Sequence, residues 1–361
     1  MPSKRVSSYT LFTPGPVNLS NGVRRELSKS LVYHREETFS EILSKLLENL
    51  KPIFKTKGRT FVFTSSGTGA MEAAVANLVS PKDSVLVTSC GKFGERWEEI
   101  CRRFGADVHT LKVEYGKAIP LEMLEENIKK YPHIKFIFST LTETSTGVLN
   151  DIKSFGRVAR EYGKVLIIDA IAGLGADEFW MDRWKVDVAI GASQKALGAP
   201  PGLSFLAINN RAWRFVKVSK SPKYYWDFST YEKFSRRGQT PYTPAIPVVY
   251  GLLLTTERLT RVGIEKSWEE HKKRASYFRR LLEGFQFFPE RPSNGLTVIR
   301  LPKGVDGTAV IERIKRRHKI LFADGQGKLK GKIIRVGHMG DIKKRGLKRA
   351  AEILREELTQ Q

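Results

Sequence analysis

Between residues 60 and 210 short apolar runs alternate with amphipathic stretches, and no other feature restricts the fold of this chain so tightly. Thr60–Thr64, Ser84–Thr88, Asp107–Lys112, Phe136–Thr140, Val165–Asp169, Val186–Ala189 and Ser204–Ile208 are candidate strands. Gly69–Leu78, Glu95–Phe104, Leu121–Lys130 and Ile152–Glu161, lying between them, have helical periodicity. Strands separated by helices of about 10–15 residues need crossover connections, so they run mainly parallel beneath helices on both faces. Beyond about residue 245 the texture changes. The helical stretch Ile246–Leu259 leads into a long charged segment, Val262–Leu282, and then short strands (Leu296–Arg300, Ile320–Phe322, Ile333–Val336) alternate with basic helices, Thr308–Arg317 and Ile342–Leu358. The expectation is an α/β protein with a large domain over 18–245, built on a mainly parallel seven-stranded sheet, and a smaller α+β domain over 246–361.

Several function classes are excluded early. Cys90 and Cys101 are the only cysteines among 361 residues. That is too few for an iron–sulfur cluster held by about four thiolates or for a Cys-rich zinc site, and no metal is expected. The start, MPSKRVSSYTLFTPGP, lacks the apolar core of a signal peptide. Apolar stretches such as Val165–Ile168 are far shorter than the roughly 18 residues of a membrane helix. A soluble, cytoplasmic protein without a membrane partner is expected. The formal charge of +24 is unevenly placed: residues 1–210 hold 28 bases and 23 acids, residues 211–361 hold 34 and 15. Either an anion-binding surface or a solvated, thermophile-type exterior accounts for this. No zinc-finger spacing, RNP aromatics or basic zipper accompanies the charge, so a nucleic-acid partner is not expected.

Three motifs carry chemistry. Thr64–Glu72, with Ser65, Ser66, Gly67, Thr68 and Gly69, follows a strand and opens a helix. Small residues and free helix-start N–H groups suit a phosphate, although the same residues also make an ordinary cap. Four apolar residues ending in Asp169 place a carboxylate at a strand's C-terminal edge, where open α/β sheets bind ligands; a helix cap is the alternative. Lys195 follows a short buried strand among small residues. A desolvated amine there has a depressed pKa and serves as a Schiff-base nucleophile, while a lysine at a cleft lip is the plainer reading. Together, a phosphate cradle, a strand-end Asp and a Lys 26 positions later are what a pyridoxal phosphate enzyme requires.

The ordered blocks Thr13–Leu19, Ser65–Glu72, Glu143–Val148, Asp169–Gly175, Gly191–Gly202 (with Ser-Gln-Lys-Ala-Leu) and Arg335–Gly340 span most of the chain. In these the sequence resembles the class V aminotransferases of fold type I, in the serine–pyruvate and alanine–glyoxylate branch. The resemblance implies pyridoxal 5'-phosphate as cofactor. Lys195 is then the Schiff-base lysine and proton carrier, Asp169 the partner of the pyridine nitrogen, and Ile171 the aliphatic residue under the ring. It places Ser66, Gly67, Thr68 and Gln194 at the cofactor phosphate, Thr144 at the ring oxygen and Phe93 as the stacking aromatic. It also implies a homodimer with shared active sites, in which Tyr242 and Thr243 come from the second subunit. Arg335 becomes the clamp for the substrate α-carboxylate, and Gly15 the backbone beside the substrate, on an N-terminal segment (1–17) associated with the small domain.

The implied reaction is ping-pong transamination from a small amino acid, serine or alanine, to a 2-oxo acid, pyruvate or glyoxylate. An aspartate or phosphoserine enzyme using 2-oxoglutarate is the alternative, with Arg35, Lys92, Arg236 and Arg237 available to a second anion. A class V lyase of the cysteine desulfurase type fits less well. Gln194 stands where those enzymes usually have His, and no Cys follows Cys101. An RNA-binding protein is the remaining rival.

Overall fold

The computed structural model describes residues 9–359, and what was expected of residues 1–8 of the N-terminal segment lies outside them. Seven strands form the main sheet in the order Arg59–Phe63, Ser204–Ile208, Val188–Ala192, Val165–Asp169, Phe136–Thr140, Ser84–Ser89, Asp107–Lys112. Only Ser204–Ile208 runs against its neighbours; the remaining pairings are parallel. The architecture is the expected mainly parallel α/β sheet.

Alternation along each strand divides the core into two layers. Leu86, Ile137, Leu166, Ile168 and Phe205 join one cluster with Leu46, Leu50, Phe155 and Val249. Val85, Val87, Phe136, Phe138, Ile167 and Ile190 join the other, against Met71, Ala74, Leu78 and Trp97. Each such buried side chain contributes about 1.5–3 kcal/mol, which stabilises a sheet covered on both sides.

Among the expected strands, two differ by more than a one-residue shift of an end. The strand expected at Val186–Ala189 runs instead over Val188–Ala192. Lys185 turns through a left-handed φ of 59° and Val186 N bonds Met181 O, which delays its start. The run Ile320–Phe322 is divided: Ile320–Leu321 pairs in parallel with Thr10–Leu11, and Ala323–Asp324 pairs with Arg335 and Ile334. The chain changes partner at Phe322, which is buried beside Phe12. A long helix, Glu37–Phe54, was not anticipated; it lays Phe39, Leu43, Leu46, Leu50 and Phe54 against the first layer.

The C-terminal layer has its own core, in which Phe12 meets Phe278, Ile299, Val310, Ile334 and Leu354. Its link to the main sheet is Asp177, fully buried, which accepts from Thr142 Oγ1 and Ser293 Oγ (both 2.7 Å) and from Asn294 N (2.7 Å). Among the described residues no helix is long and apolar enough to cross a membrane.

At the N-terminal edge of the sheet Asp187, 1% exposed, accepts from Leu166 N (2.9 Å), Asn209 Nδ2 (2.9 Å), Arg211 Nη1 (2.7 Å) and Arg160 Nη2 (3.3 Å). Removing one partner of a buried ion pair leaves the others uncompensated, at about 3–5 kcal/mol. Asp187→Ala is therefore expected to lower unfolding free energy by about that amount in urea titration; a loss below 1 kcal/mol would show that the arginines are satisfied by water.

Candidate active site

Six strands point their C-terminal ends to one edge, and the segments that leave them carry nearly every residue singled out in the sequence. Thr64–Thr68 follows Phe63, Phe93 lies beyond Ser89, Thr144 beyond Thr140, Ile171 beyond Asp169 and Lys195 beyond Ala192. This is the edge at which open α/β sheets bind ligands.

Asp169 pairs with Thr140 on one side and Ile190 on the other, so its backbone is fixed by the ladder. Its Oδ1 accepts from Ile171 N at 2.8 Å. Burial pushes the carboxyl up to about 7, helped by nearby Glu143, while the Ile171 N–H, Lys195 and Arg96 pull it back. Asp187 differs: it is ringed by arginines, whereas Asp169 has one backbone donor and is shifted toward its neutral form.

Lys195 is half-buried. Its Nζ donates to Pro14 O at 2.6 Å. Desolvation lowers the amine to about 8, with Arg335 and Arg96 pushing the same way and Asp169 opposing. Gly15 packs directly on it: at φ +113°, a Cβ here would stand 2.6 Å from Lys195 Cδ and 2.8 Å from Nζ. Glycine satisfies both the backbone angle and the close approach.

Ser66 caps the helix Gly67–Leu78 without a side-chain bond to it, so the leading N–H groups remain available. A side chain at Gly67 would collide with Ile171, and one at Gly69 would stand 2.6 Å from Ser65 Oγ. Ser65 itself bonds Ser204 Oγ at 2.7 Å. The two glycines let neighbouring side chains pack directly on the backbone at this helix start. Gln194 Oε1 is buried and has no hydrogen-bond partner.

Arg335 lies on Ile333–Gly337 and is 6% exposed. Its Nε donates to Asp324 O (2.8 Å) and its Nη1 to Thr144 O (3.2 Å), two neutral acceptors. Burial lowers its pKa to about 10, opposed by Asp324 and Glu143. A desolvated guanidinium held by carbonyls is prepared for an anion. Thr144 thus meets Arg335 through its carbonyl.

The structure adds two residues that sequence reasoning missed. Glu143 is fully buried, and its carboxylate accepts from Phe93 N (3.0 Å), Gly94 N (3.1 Å), Ser145 N (3.1 Å) and Ser145 Oγ (2.6 Å). It sits at the N-terminus of the helix Lys92–Arg103, where a negative charge is favoured, and it thereby sets the place of Phe93. Arg96, one turn on, lies 4.7 Å over the Phe93 ring and donates to Thr68 Oγ1 at 3.0 Å. Glu143 stands inside a quoted block, and an acid next to a buried strand end was the available signal.

Tyr242 and Thr243 are not joined to this group by hydrogen bonds among the described residues. Tyr242 donates to Tyr224 O (3.1 Å) and stacks on Tyr225 (4.8 Å), and Thr243 is exposed. Of the basic residues considered for a second anion, Arg35 donates to Thr240 O (2.6 Å) and Pro241 O (2.9 Å), holding that segment. Lys92 pairs with Glu95 and Arg236 with Glu232.

A charge-assisted hydrogen bond contributes about 1.5–3 kcal/mol, so its loss corresponds to about tenfold or more in local opening. Glu143→Ala is expected to accelerate amide hydrogen exchange at Phe93 and Gly94 by at least about tenfold, with Glu143→Gln less affected. Unchanged exchange would mean that packing alone holds the helix start.

Residues 22–326 match the family described as aminotransferase class-V. The chain is 32% identical to the L-aspartate–glyoxylate aminotransferase of Paracoccus denitrificans, covering 93% of this chain and 87% of that one. It is 32% identical to the serine–glyoxylate aminotransferase of Arabidopsis thaliana, over 92% and 86%. Among solved structures, the alanine–glyoxylate aminotransferase of Nostoc sp. superposes with a TM-score of 0.93 at 30% identity, over 100% of this chain and 97% of that one. Sequence, fold and the charged edge of the sheet agree, and the chain belongs to the class V aminotransferases.

Proposed function

We propose that the protein is a pyridoxal 5'-phosphate-dependent aminotransferase that moves the amino group of a small amino acid, serine or alanine, to glyoxylate or pyruvate. The observation that carries this reading is geometric: adjacent parallel strands bring a buried carboxylate held by a backbone N–H and a largely desolvated lysine amine held by a carbonyl to one edge of the sheet, where burial lowers the amine to about 8 and raises the carboxyl to about 7. The relatives named above support the choice of acceptor: their names share glyoxylate and differ in the donor.

The residues present fit the cofactor. The free N–H groups behind Ser66 and the hydroxyl of Thr68 suit its phosphate, and the orphaned Gln194 has an amide to offer it. Asp169 suits the pyridine nitrogen, Ile171 and Phe93 the two ring faces, Thr144 the ring oxygen, and Lys195 would carry the group covalently. Bound there, the cofactor supplies a carbonyl carbon that exchanges the amino group and a protonated ring that withdraws electrons from the substrate.

The chain's own residues do the rest. Asp169, anchored by the Ile171 N–H, holds the proton at the pyridine nitrogen. Lys195 Nζ takes the substrate's α-proton, which requires its uncharged form; with a pKa of about 8, about a tenth is uncharged at pH 7. Arg335 grips the α-carboxylate with a guanidinium already stripped of water. Donor and acceptor both carry that carboxylate, so one clamp serves both halves of a ping-pong reaction. A homodimer follows as part of the proposal, with Tyr242 and Thr243 of the partner subunit closing the phosphate end. Exposed Leu31, Tyr33 and Tyr224 support an apolar interface nearby.

Two measurements test this. The rate at which cofactor-free protein takes up pyridoxal 5'-phosphate is expected to rise about tenfold per pH unit up to about 8 and then level off, because the amine reacts only when deprotonated. Lys195→Ala is expected to abolish both this attachment and all turnover, and retained turnover overturns the reading. In half-reactions of the loaded enzyme, serine and alanine are expected to change the cofactor spectrum and glyoxylate to restore it. A response to aspartate or phosphoserine alone overturns the small-donor reading, and restoration by 2-oxoglutarate but not glyoxylate selects the alternative.

A further inference from the structure

The opposite edge of the sheet holds a second constellation that amino transfer does not use. Asp107 and His109 stand two residues apart at the start of the edge strand Asp107–Lys112, so they share one face. The helix Leu121–Lys130 ends against them. Its C-cap Tyr131 stacks on the His109 imidazole, with centroids 3.9 Å apart and planes 22° apart. Two residues later His133 brings a second imidazole to 5.6 Å from the first, at 72° to it.

One ligand atom from each of Asp107, His109 and His133 lies within 4.8 Å of the other two. Asp107 Oδ2 is 3.2 Å from His109 Nε2. Even so, Nε2 is shielded from water and makes no hydrogen bond of acceptable geometry. An imidazole nitrogen and a carboxylate oxygen that face each other without a shared proton are arranged like two ligands of one ion. In four-coordinate zinc sites, bonds of about 2.0–2.1 Å put neighbouring ligand atoms about 3.3 Å apart. The Asp107–His109 pair already has that spacing, and exposed His133 needs only a side-chain rotation to match it.

We propose that Asp107, His109 and His133 bind a borderline divalent transition-metal ion of the Zn2+ class, with water completing the shell. Two imidazoles and one carboxylate suit Zn2+, Ni2+ or Cu2+, whereas Mg2+ and Ca2+ demand oxygen ligands. The negative end of the Leu121–Lys130 helix favours a cation here. Lys130, whose ammonium lies 5.2 Å from the Tyr131 ring, works against it and is offset by Asp107. The ion would tie the outermost strand to the loop leading into Phe136–Thr140, covering an edge that otherwise offers unpaired backbone.

The test uses tag-free, chelator-treated full-length protein and Zn2+ alone, by calorimetric titration and by thermal unfolding. One Zn2+ per chain is expected to bind in the micromolar range or tighter and to raise Tm. In His133→Ala and His109→Ala the affinity is expected to fall by at least about tenfold and the Tm gain to vanish. His133 is exposed, so its alanine variant keeps the fold even where His109→Ala, which loses the Tyr131 stack, does not. Equal Zn2+ binding by wild type and His133→Ala overturns the proposal, as does wild-type binding without a Tm gain. Zn2+ held by a cofactor or elsewhere would persist in the variants, so it is distinguished from this site.

Discussion

Four ionisable groups, Asp169, Lys195, Glu143 and Arg335, are withdrawn from water within one region without forming close ion pairs with each other, and the rest of the site follows from that constraint. Left to themselves such groups would neutralise or pair. The fold prevents the pairing by giving each a neutral partner: a backbone N–H for Asp169, carbonyls for Lys195 and Arg335, and N–H and hydroxyl donors for Glu143. Burial shifts each of them toward its neutral form, and a ligand group of opposite charge reverses that shift. This is electrostatic preorganisation achieved with peptide groups, and peptide groups are fixed by the sheet.

Much of this was legible in the sequence because the relevant signals are local. Val165–Asp169 and Phe136–Thr140 have the expected boundaries, since an apolar run of four residues in the first and three in the second is flanked by polar ones. Lys195 and Asp169 were readable from residue type and position after a strand. Glu143 and Arg96 were not, because their partners lie about 50 and 28 residues away, on other segments. A hydrogen bond from a side chain to a remote backbone N–H leaves no periodic trace. The divided strand at Phe322 was hidden for the same reason: its two halves answer to different partners, one of them near the N-terminus.

The charge of +24 has a modest role in this picture. In the basic C-terminal half, Arg313 and Arg317 meet Glu357, and Lys273 meets Glu269 across one helical turn. The exposed Lys273–Glu269 pair contributes little by itself, whereas Glu357 is buried beneath its arginines. What the sequence excess does supply is a positive field over the region that carries Arg335, which favours carboxylate and phosphate ligands on approach.

The segment around Pro14 and Gly15 has a consequence for biosynthesis. Thr10–Leu11 pairs with Ile320–Leu321, and Gly337 N bonds Phe12 O at 2.6 Å. The carbonyl that receives the Lys195 amine thus lies 181 positions before it in the sequence, yet its segment is held in place by one far beyond it, at Ile320–Leu321. Contacts this distant in sequence form late. A partly synthesised chain can assemble the central sheet and carry the lysine, but its amine has no acceptor at Pro14 until the C-terminal layer has emerged. The surroundings of the lysine are therefore complete only once the C-terminal layer is in place.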